Sequence, residues 1–241
     1  MKVKMTVAYD GTNYYGFQHQ PKFPSVEDEL VKAIRRIDSN VEKIYGSGRT
    51  DRFVHAKGQV IHFDTEKVIL TYKWIQAVNT FLPEDIRILD CEYVGEDFHA
   101  RYSAKSKEYQ YFLAKEDNLF ERNYRDYVGN FDVELLTKAL KKLVGKHDFK
   151  GFCSAQICEE KDTVKEIYSI TLYEFNDYIQ ISFIGDGFLK YQIRKMMGTA
   201  IDVAVGKKDL TIIDEIFATC DPKLTNRVLK GHGLYLVKVD Y

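Results

Sequence analysis

The fold is decided by residues 2–37, KVKMTVAYDGTNYYGFQHQPKFPSVEDELVKAIRRI, because the hydrophobic period changes within this stretch. Apolar residues at 3, 5 and 7 alternate with polar ones, which predicts a strand with one buried face. Ser25 precedes a second pattern and has Asp28 three residues further on, which is typical of a helix N-cap. The helix that follows has one apolar face, formed by Val26, Leu30, Ile34 and Ile37. The stretch therefore predicts a strand followed by an amphipathic helix.

The same patterns continue along the chain and then repeat. In the first half, strands are predicted at 41–45, 59–63 and 86–93, and a second helix at 71–81. In the second half, strands are predicted at 108–114, 164–173, 178–184 and 234–239, with helices at 132–145, at 189–204 and from about 209. Each half has the order β-α-β-β-α-β, which predicts an α+β protein with two ferredoxin-like halves, residues 1–105 and 106–241. The halves are expected to form a central, mostly antiparallel sheet with helices on one face.

Composition gives no sign of a general affinity for nucleic acid. The chain carries 35 Lys and Arg against 36 Asp and Glu, a formal net charge of −1, so any RNA-binding face must be local. No uncharged apolar run approaches the ~18 residues of a membrane helix, and the N-terminal stretch lacks the apolar core of a signal peptide. The four cysteines show no zinc-site spacing and are expected to be free thiols, which favours a cytoplasmic location.

The densest polar segment is GSGRTDRFVHA, residues 46–56, which lies between two predicted strands. If this segment is extended, Arg49 and Asp51 project to the same side. A guanidinium there can hold a carboxylate ionised, and an ionised aspartate in a fixed position is what a nucleophile or general base requires. The alternative is a solvated turn with a surface ion pair of little energetic value. The spacing by itself leaves both interpretations open.

A second segment, KSKEYQY at residues 105–111, combines basic and aromatic side chains. On a strand they share one face, which can bind phosphates and stack on bases. The alternative is that the tyrosines are half-buried in a sheet and the lysines lie outside it. The residues concerned are Lys105, Lys107, Tyr109 and Tyr111, with Arg101 adding a basic side chain shortly before them.

A third segment, GDGFLKYQIRK at residues 185–195, places Arg194 where its side chain can reach a cleft while its stem packs. The alternative is a core helix with a solvated basic edge. The opening segment YDGTNYYGFQHQ, residues 9–20, is either a functional loop or a simple connection. Known nucleotide-binding and metalloprotease motifs are absent and the six histidines are dispersed, so neither a metal nor a bound cofactor is expected.

Taken together, these segments resemble the TruA family of tRNA pseudouridine synthases. The match is ordered and extends over nearly the whole chain, which favours the functional interpretation of each segment. It comprises residues 9–20, residues 46–51 with Val54-His55-Ala56, Phe98-His99-Ala100-Arg101 with Ser103-Ala104, Tyr109 and Tyr111, His147-Asp148-Phe149, Gly187-Phe188-Leu189 with Ile193-Arg194 and Gly198, and Gly233-Leu234-Tyr235-Leu236.

The resemblance implies an isomerase that converts uridine to pseudouridine in the anticodon stem-loop of tRNA, at positions 38, 39 and 40, without cofactor or metal. By match to the family motifs, Asp51 is the catalytic nucleophile, Arg49 and Arg194 hold it ionised, and Tyr109 stacks on the uracil, which must be flipped out of its stem. The resemblance also implies a homodimer and an active-site cleft between the two halves. The residues expected to bind the substrate are Tyr109, Lys105, Lys107, Arg52, His55, Leu189 and Arg101.

The sequence departs from the family pattern directly after Asp51. The family usually has Ala-Gly there, whereas this chain has Arg52-Phe53. If the second position needs a positive φ, Phe53 costs about 1–3 kcal/mol unless the turn changes shape, and Arg52 adds a phosphate contact. The departure leaves two alternatives open, a related enzyme for another RNA such as ribosomal RNA and a non-catalytic RNA-binding module. A hydrolase with an aspartate nucleophile is a weaker third.

Overall fold

The computed structural model of the chain describes residues 1–154 and 162–241. The chain forms two compact units, of which unit 1 comprises Met1–Lys107 with Tyr235–Tyr241, and unit 2 comprises Glu108–Leu234. The C-terminal residues 235–241 therefore belong to unit 1, although sequence order places them in the second predicted half. Sequence order does not reveal which strand edge a terminal strand pairs with. The two ferredoxin-like halves, 1–105 and 106–241, were defined from the repeated order of strands and helices, and this division of the chain stays a prediction.

Ten strands and five α-helices are present among the described residues. In chain order they are β1 (Lys2–Tyr9), α1 (Val26–Ile37), β2 (Tyr45–Gly46), β3 (His55–Asp64), α2 (Thr71–Phe81), β4 (Ile86–Val94), β5 (Ser106–Ala114), β6 (Asp126–Tyr127), α3 (Val133–Lys141), β7 (Gly145–Asp148), β8 (Val164–Glu174), β9 (Tyr178–Gly185), α4 (Gln192–Ala204), α5 (Ile212–Thr219) and β10 (Leu234–Asp240). The predicted α+β class is confirmed.

In unit 1, β1 lies between β3 and β4 and is antiparallel to both. Strand β2 pairs with one end of β3, at Ile61 and His62, while β10 runs parallel to the other end, at His55 and Ala56. The order β4-β1-β3-β2 is that of a ferredoxin-like unit, as the pattern of the first half predicts. It places the segment between β2 and β3, which contains Asp51, at one end of the sheet.

The first two elements of unit 1 form as their sequence patterns predict. Residues 3, 5 and 7 of β1 are completely buried, and α1 buries one face through Val26, Leu30, Ala33 and Ile34. The Oγ atom of Ser25 accepts a hydrogen bond from the backbone N–H of Asp28, and such a cap stabilises a helix by about 1 kcal/mol.

In unit 2, the strand order is β5-β9-β8-β7, with β6 parallel to the end of β5. Strands β8 and β9 form the predicted antiparallel hairpin, and β7 is antiparallel to β8. Helices α3 and α4 pack against each other, and α4 is buried along almost its whole length. The burial of α4 agrees with the alternative of a core helix for residues 192–204.

Two predicted elements differ in the structure. The strand expected at 41–45 is only Tyr45–Gly46, because Val41 and Ile44 are buried without joining a ladder. The helix expected to end at Gly145 ends at Lys141, and Gly145, with a φ of 113°, begins β7. A glycine with a positive φ can follow the end of a helix or begin a strand, so the sequence pattern did not distinguish the two.

Among the described residues, no helix is long and apolar enough to cross a bilayer. Cys91 and Cys220 are free thiols, as predicted. Cys153 is disulfide-bonded, so the prediction is wrong for this residue. A disulfide depends on how the fold places two thiols, which their spacing does not show. Cys158 lies outside the described residues.

Candidate active site

Asp51 lies in a tight turn between β2 and β3. Its carbonyl oxygen accepts a hydrogen bond of 3.1 Å from the N–H of Val54, so Arg52 and Phe53 occupy the centre of the turn. Phe53 has a φ of 67°, in the left-handed region. A side chain with a Cβ atom is strained there by about 1–2 kcal/mol. The position after Arg52 therefore has the positive φ that the comparison with the family pattern suggested, and Phe53 occupies it under strain.

The opening loop holds this turn in place. The N–H of Phe17 donates to the carbonyl of Thr50 at 3.2 Å, and the buried hydroxyls of Tyr9 and Thr50 are 2.8 Å apart. Gly16 has a φ of 102°, and a Cβ atom on it would lie 2.6 Å from the carbonyl oxygen of Thr50. Gly16 is thus required both by its backbone conformation and by the close approach of the two loops. Thr50, the residue before Asp51, is therefore held by one hydrogen bond to its backbone and one to its side chain.

His55 follows the turn and is 2% exposed. Its Nδ1 accepts a hydrogen bond of 3.0 Å from the N–H of Gly11, and its ring stacks on Tyr235 with centroids 4.5 Å apart. An oxygen of Asp10 lies 3.1 Å from the same nitrogen. These contacts connect the opening loop, β3 and β10, and the predicted substrate contact of His55 stays a prediction.

Arg49 and Asp51 differ in their exposure. Asp51 is half-buried, whereas Arg49 is exposed. In residues 1–154 and 162–241, no hydrogen bond or ion pair involves the Arg49 guanidinium. Residues 49–51 belong to no strand, and Thr50 between the two side chains is buried. The role of Arg49 in holding Asp51 ionised stays a prediction.

Lys107 contacts the glycine-rich segment before Asp51. Its Nζ donates to the carbonyl of Ser47 at 2.7 Å and lies 3.1 Å from where a Cβ atom on Gly48 would be. Gln59 supports the same segment by accepting from the Ser47 hydroxyl at 2.6 Å and donating to the Gly48 carbonyl at 3.0 Å. Burial and, to a smaller extent, the charge of Arg101 lower the pKa of Lys107 to about 8. Sequence analysis missed Gln59, which carries no motif signal.

Several basic side chains of unit 1 are exposed. Arg101 lies with its guanidinium 5.6 Å from the ring centroid of Tyr102, which is itself largely exposed. Lys105 is exposed just before β5, and its backbone N–H donates to the carbonyl of Asp240. Arg52 is exposed in the Asp51 turn. Exposed basic side chains of this kind are the groups that contact RNA phosphates.

The remaining predicted site residues belong to unit 2. Tyr109 is buried, and Phe188 meets its ring edge to face with centroids 5.3 Å apart. The Nε atom of Arg194 donates to the carbonyl of Leu229 at 2.6 Å. Leu189 is half-buried in the segment before α4. Tyr109 and Arg194 thus each have a contact with another residue of unit 2.

Tyr111, next on the same strand face, is a core residue and not a base-stacking one. It is fully buried, and its hydroxyl donates to a carboxylate oxygen of Asp126 at 2.9 Å. The backbone N–H of Lys230 donates to the same oxygen at 3.2 Å, and His232 Nε2 lies 3.7 Å from the other oxygen. We call Tyr111, Asp126, Lys230 and His232 the Asp126 cluster. Burial raises the pKa of Asp126, but the bonds from His232, Tyr111 and Lys230 outweigh it and leave the pKa below its usual value.

Comparison with known proteins identifies the family. A family model described as "tRNA pseudouridine synthase" matches residues 5–103 and 139–241. The "tRNA pseudouridine synthase A 1" of Bacillus cereus is 42% identical over 244 residues, covering 100% of this chain and 98% of the relative. The chain belongs to the TruA family of tRNA pseudouridine synthases. The predicted family and the predicted enzyme class, an isomerase, are confirmed.

Other TruA relatives match along their whole length. "tRNA pseudouridine synthase A" of Exiguobacterium sibiricum is 41% identical over 241 residues, covering 100% of this chain and 96% of the relative. The protein of the same name from Bacillus pumilus is 41% identical over 246 residues, covering 100% and 99%. A chain from the crystal structure of a Cbf5-Nop10-Gar1 complex aligns with 97% of this chain and 57% of its own length, with a TM-score of 0.41 and 11% identity.

Within the described residues, no group of three or more His, Cys, Asp and Glu side chains is arranged to hold a metal ion. The candidate site residues of unit 1 comprise a half-buried aspartate, a loop that holds its turn, a partly buried lysine and exposed arginines. Such a set suits an anionic substrate that is bound by its phosphates and attacked by a carboxylate.

Proposed function

We propose that this TruA enzyme isomerises uridine to pseudouridine in the anticodon stem-loop of tRNA, at positions 38, 39 and 40, and that Asp51 is its nucleophile. The observation that carries the proposal is the Asp51 turn. Its backbone accepts hydrogen bonds from the N–H groups of Val54 and, at Thr50, of Phe17, and the Thr50 side chain is hydrogen-bonded to that of Tyr9. The backbone that carries the carboxylate is therefore held in place. A fixed catalytic group removes much of the entropic barrier to reaction.

The reaction conserves all atoms of the nucleotide. The glycosidic bond from the ribose carbon to N1 of uracil breaks, the base turns, and a bond from the same carbon to C5 forms. The hydrogen on C5 is lost as a proton, and N1 ends with a proton in its place. Since nothing is oxidised or reduced overall, the isomerisation needs no redox cofactor, and the proposal includes neither cofactor nor metal.

The proposal gives the other predicted residues the following roles. Arg49 and Arg194 supply positive charge that favours the ionised form of Asp51, and Tyr109 is the aromatic platform for the flipped uracil. Arg101, Lys105 and Lys107, with Arg52, His55 and Leu189, bind the RNA around the reacting nucleotide. Support comes from the exposure of Arg49, Arg52, Arg101 and Lys105 in unit 1.

The proposal extends to the assembly and location of the enzyme. It acts as a homodimer in which one tRNA contacts both subunits, and it works in the cytoplasm, where its substrate is found. Sedimentation equilibrium tests the dimer, since a monomeric mass at assay concentration contradicts it, and cell fractionation tests the location.

The decisive experiment replaces Asp51. Asp51→Asn keeps the size of the side chain but removes its charge, so release of tritium from tRNA carrying [5-³H]uridine is expected to fall at least about 10³-fold, as when other nucleophiles are removed. Binding of the same tRNA is expected to stay within about threefold. Asp64→Asn, at an exposed position that ends β3, is the matched control and should leave both quantities unchanged. Tritium release by Asp51→Asn at close to the unaltered rate contradicts the assignment.

A further inference from the structure

Four side chains next to Asp51 form a contiguous stack that the family motifs do not assign. The guanidinium carbon of Arg52 lies 4.0 Å from the ring centroid of Tyr15 and 4.2 Å from that of Phe53. The Tyr15 ring is in turn stacked on Phe23, with centroids 4.1 Å apart and planes 10° from parallel. We call Phe23, Tyr15, Arg52 and Phe53 the aromatic ladder. It joins the opening loop to the Asp51 turn.

Two backbone hydrogen bonds hold the segment that carries Tyr15 and Phe23. The N–H of Tyr15 donates to the carbonyl of Pro24 at 2.9 Å, and the N–H of Phe23 donates to the carbonyl of Gln20 at 3.4 Å. Pro21 sits inside the turn that this second bond closes, and proline fixes its own φ. The rings are therefore ordered before any ligand arrives, which lowers the entropic cost of binding on them.

Two binding groups of the aromatic ladder remain open. Arg52 is exposed, and no hydrogen bond or ion pair within the two described ranges uses its guanidinium, which carries five N–H donors. Phe23 is 48% exposed although one face of its ring rests on Tyr15. An arginine whose flat faces pack on rings keeps its N–H edges directed outward, as recognition of a phosphate requires.

We propose that the aromatic ladder is a binding site for an unpaired nucleotide of the RNA substrate, with the base stacked on Phe23 and a backbone phosphate on the N–H groups of Arg52. The inference rests on the proposed function, because it takes RNA to be the substrate. An acidic peptide would pair with Arg52 but leave the exposed aromatic face unused, whereas a nucleotide uses both groups. Arg52 is the residue after Asp51, so the bound nucleotide is a close neighbour of the reacting uridine.

The test separates stacking from charge. Phe23→Leu keeps an apolar side chain but removes the ring face, and Arg52→Gln removes the charge. Matched controls are Phe81→Leu, at a phenylalanine that is 51% exposed on α2, and Arg36→Gln, at an exposed arginine on α1. For each variant, kcat and KM are measured by tritium release from an unmodified tRNA transcript, and Kd is measured at several salt concentrations. Thermal unfolding confirms that each variant is folded.

Phe23→Leu is expected to raise KM and Kd at least about fivefold, as loss of one stacked base does, with a much smaller change in kcat. Arg52→Gln is expected to raise Kd and to reduce the slope of log Kd against log salt by about one. Arg52→Lys should restore most of that slope, because it restores the charge. The two controls should match the unaltered enzyme in all of these quantities.

The proposed nucleotide site is wrong if the unaltered enzyme releases tritium but the folded variants Phe23→Leu and Arg52→Gln leave KM, Kd and the salt slope unchanged. A fall in kcat with an unchanged KM would also overturn it, since that pattern indicates damage to the Asp51 turn. Failure of the proposed function looks different. In that case the unaltered chain releases no tritium, and an effect of both variants on RNA binding would still support the aromatic ladder.

Discussion

The aromatic ladder of unit 1 and the Asp126 cluster of unit 2 each place a charged side chain beside a tyrosine, but the charge is exposed in the first and buried in the second. Asp126 is 2% exposed, and Tyr111 and the backbone of Lys230 donate to it. Arg52 is exposed and rests on rings that offer it no hydrogen-bond acceptor. A buried charge without partners is very unfavourable, whereas an exposed one can keep its donors for a ligand. The difference separates a charge that stabilises the fold from a charge that is available to bind.

The largest effect is expected where the buried charge is removed. Asp126→Ala should lower the free energy of unfolding by about 2 kcal/mol, because the Lys230 amide loses its acceptor in the interior. The Tyr111 hydroxyl keeps an acceptor, since the Lys230 carbonyl lies 2.8 Å from it. Asp117→Ala, at an exposed aspartate of the same unit, should change the free energy of unfolding by less than about 0.5 kcal/mol. Urea unfolding followed by circular dichroism measures both. Equal losses in the two variants would remove the contrast between the buried and exposed regions.

A smaller effect is expected at the strained end of the aromatic ladder. Phe53→Ala and Phe53→Gly both remove the ring, but only glycine is unstrained at a φ of 67°. The glycine variant should therefore be more stable than the alanine variant by about 1 kcal/mol. Thermal or urea unfolding of the pair provides the measurement. If alanine is the more stable of the two, the backbone at this position is not held in the left-handed region.

The exposure of Lys107 lies between that of Arg52 and that of Asp126, because Lys107 is partly buried. It contacts the segment that precedes Asp51. Its pKa of about 8 means that it loses its charge as the pH rises past 8, well before an ordinary lysine. If Lys107 binds RNA as proposed, the KM for tRNA should rise about threefold between pH 7 and pH 9, because one positive charge is lost from the proposed RNA contacts. Lys107→Arg should keep KM nearly constant over the same range, since arginine stays charged. A rise of the same size in Lys107→Arg assigns the pH dependence to another group.

The same shift of the Lys107 pKa affects stability with a definite sign. Between about pH 8 and the ordinary lysine pKa of 10.5, the unfolded chain binds more protons at this residue than the folded chain does. The contribution of Lys107 to stability therefore rises with pH across this window. Comparing the unfolding of the unaltered enzyme with that of Lys107→Met at pH 7.5 and pH 9.5 isolates this contribution.

Much of the fold was predictable because local patterns report burial directly. The helix predicted at 71–81 is α2, and the hairpin predicted at 164–184 is formed by β8 and β9. Short or ambiguous segments were not predictable. Residues 145–148 form a strand that the sequence offered only as the end of a helix, because a glycine with positive φ serves either purpose.

The candidate site also has parts that the sequence predicted and parts that it did not. The segment that contains Asp51 and the basic residues around it were found from composition and motif, and the positive φ at Phe53 was anticipated from the departure in that motif. Gln59 and Asp126 were missed, since neither belongs to a motif and each acts on residues that are distant in the chain. Tyr111 was grouped with Tyr109 by strand alternation, although the structure pairs it with Asp126 in the core.

By itself the sequence determined the strand and helix order, the family and the position of Asp51, because periodicity and motifs are properties of neighbouring residues. Only the tertiary structure decided that Phe23 stacks on Tyr15, that Tyr15 lies against Arg52, and that Asp126 lies against Tyr111 and Lys230. These contacts join residues that are far apart along the chain. Which of them form depends on how loops and strands pack, and that packing leaves no periodic mark in the sequence.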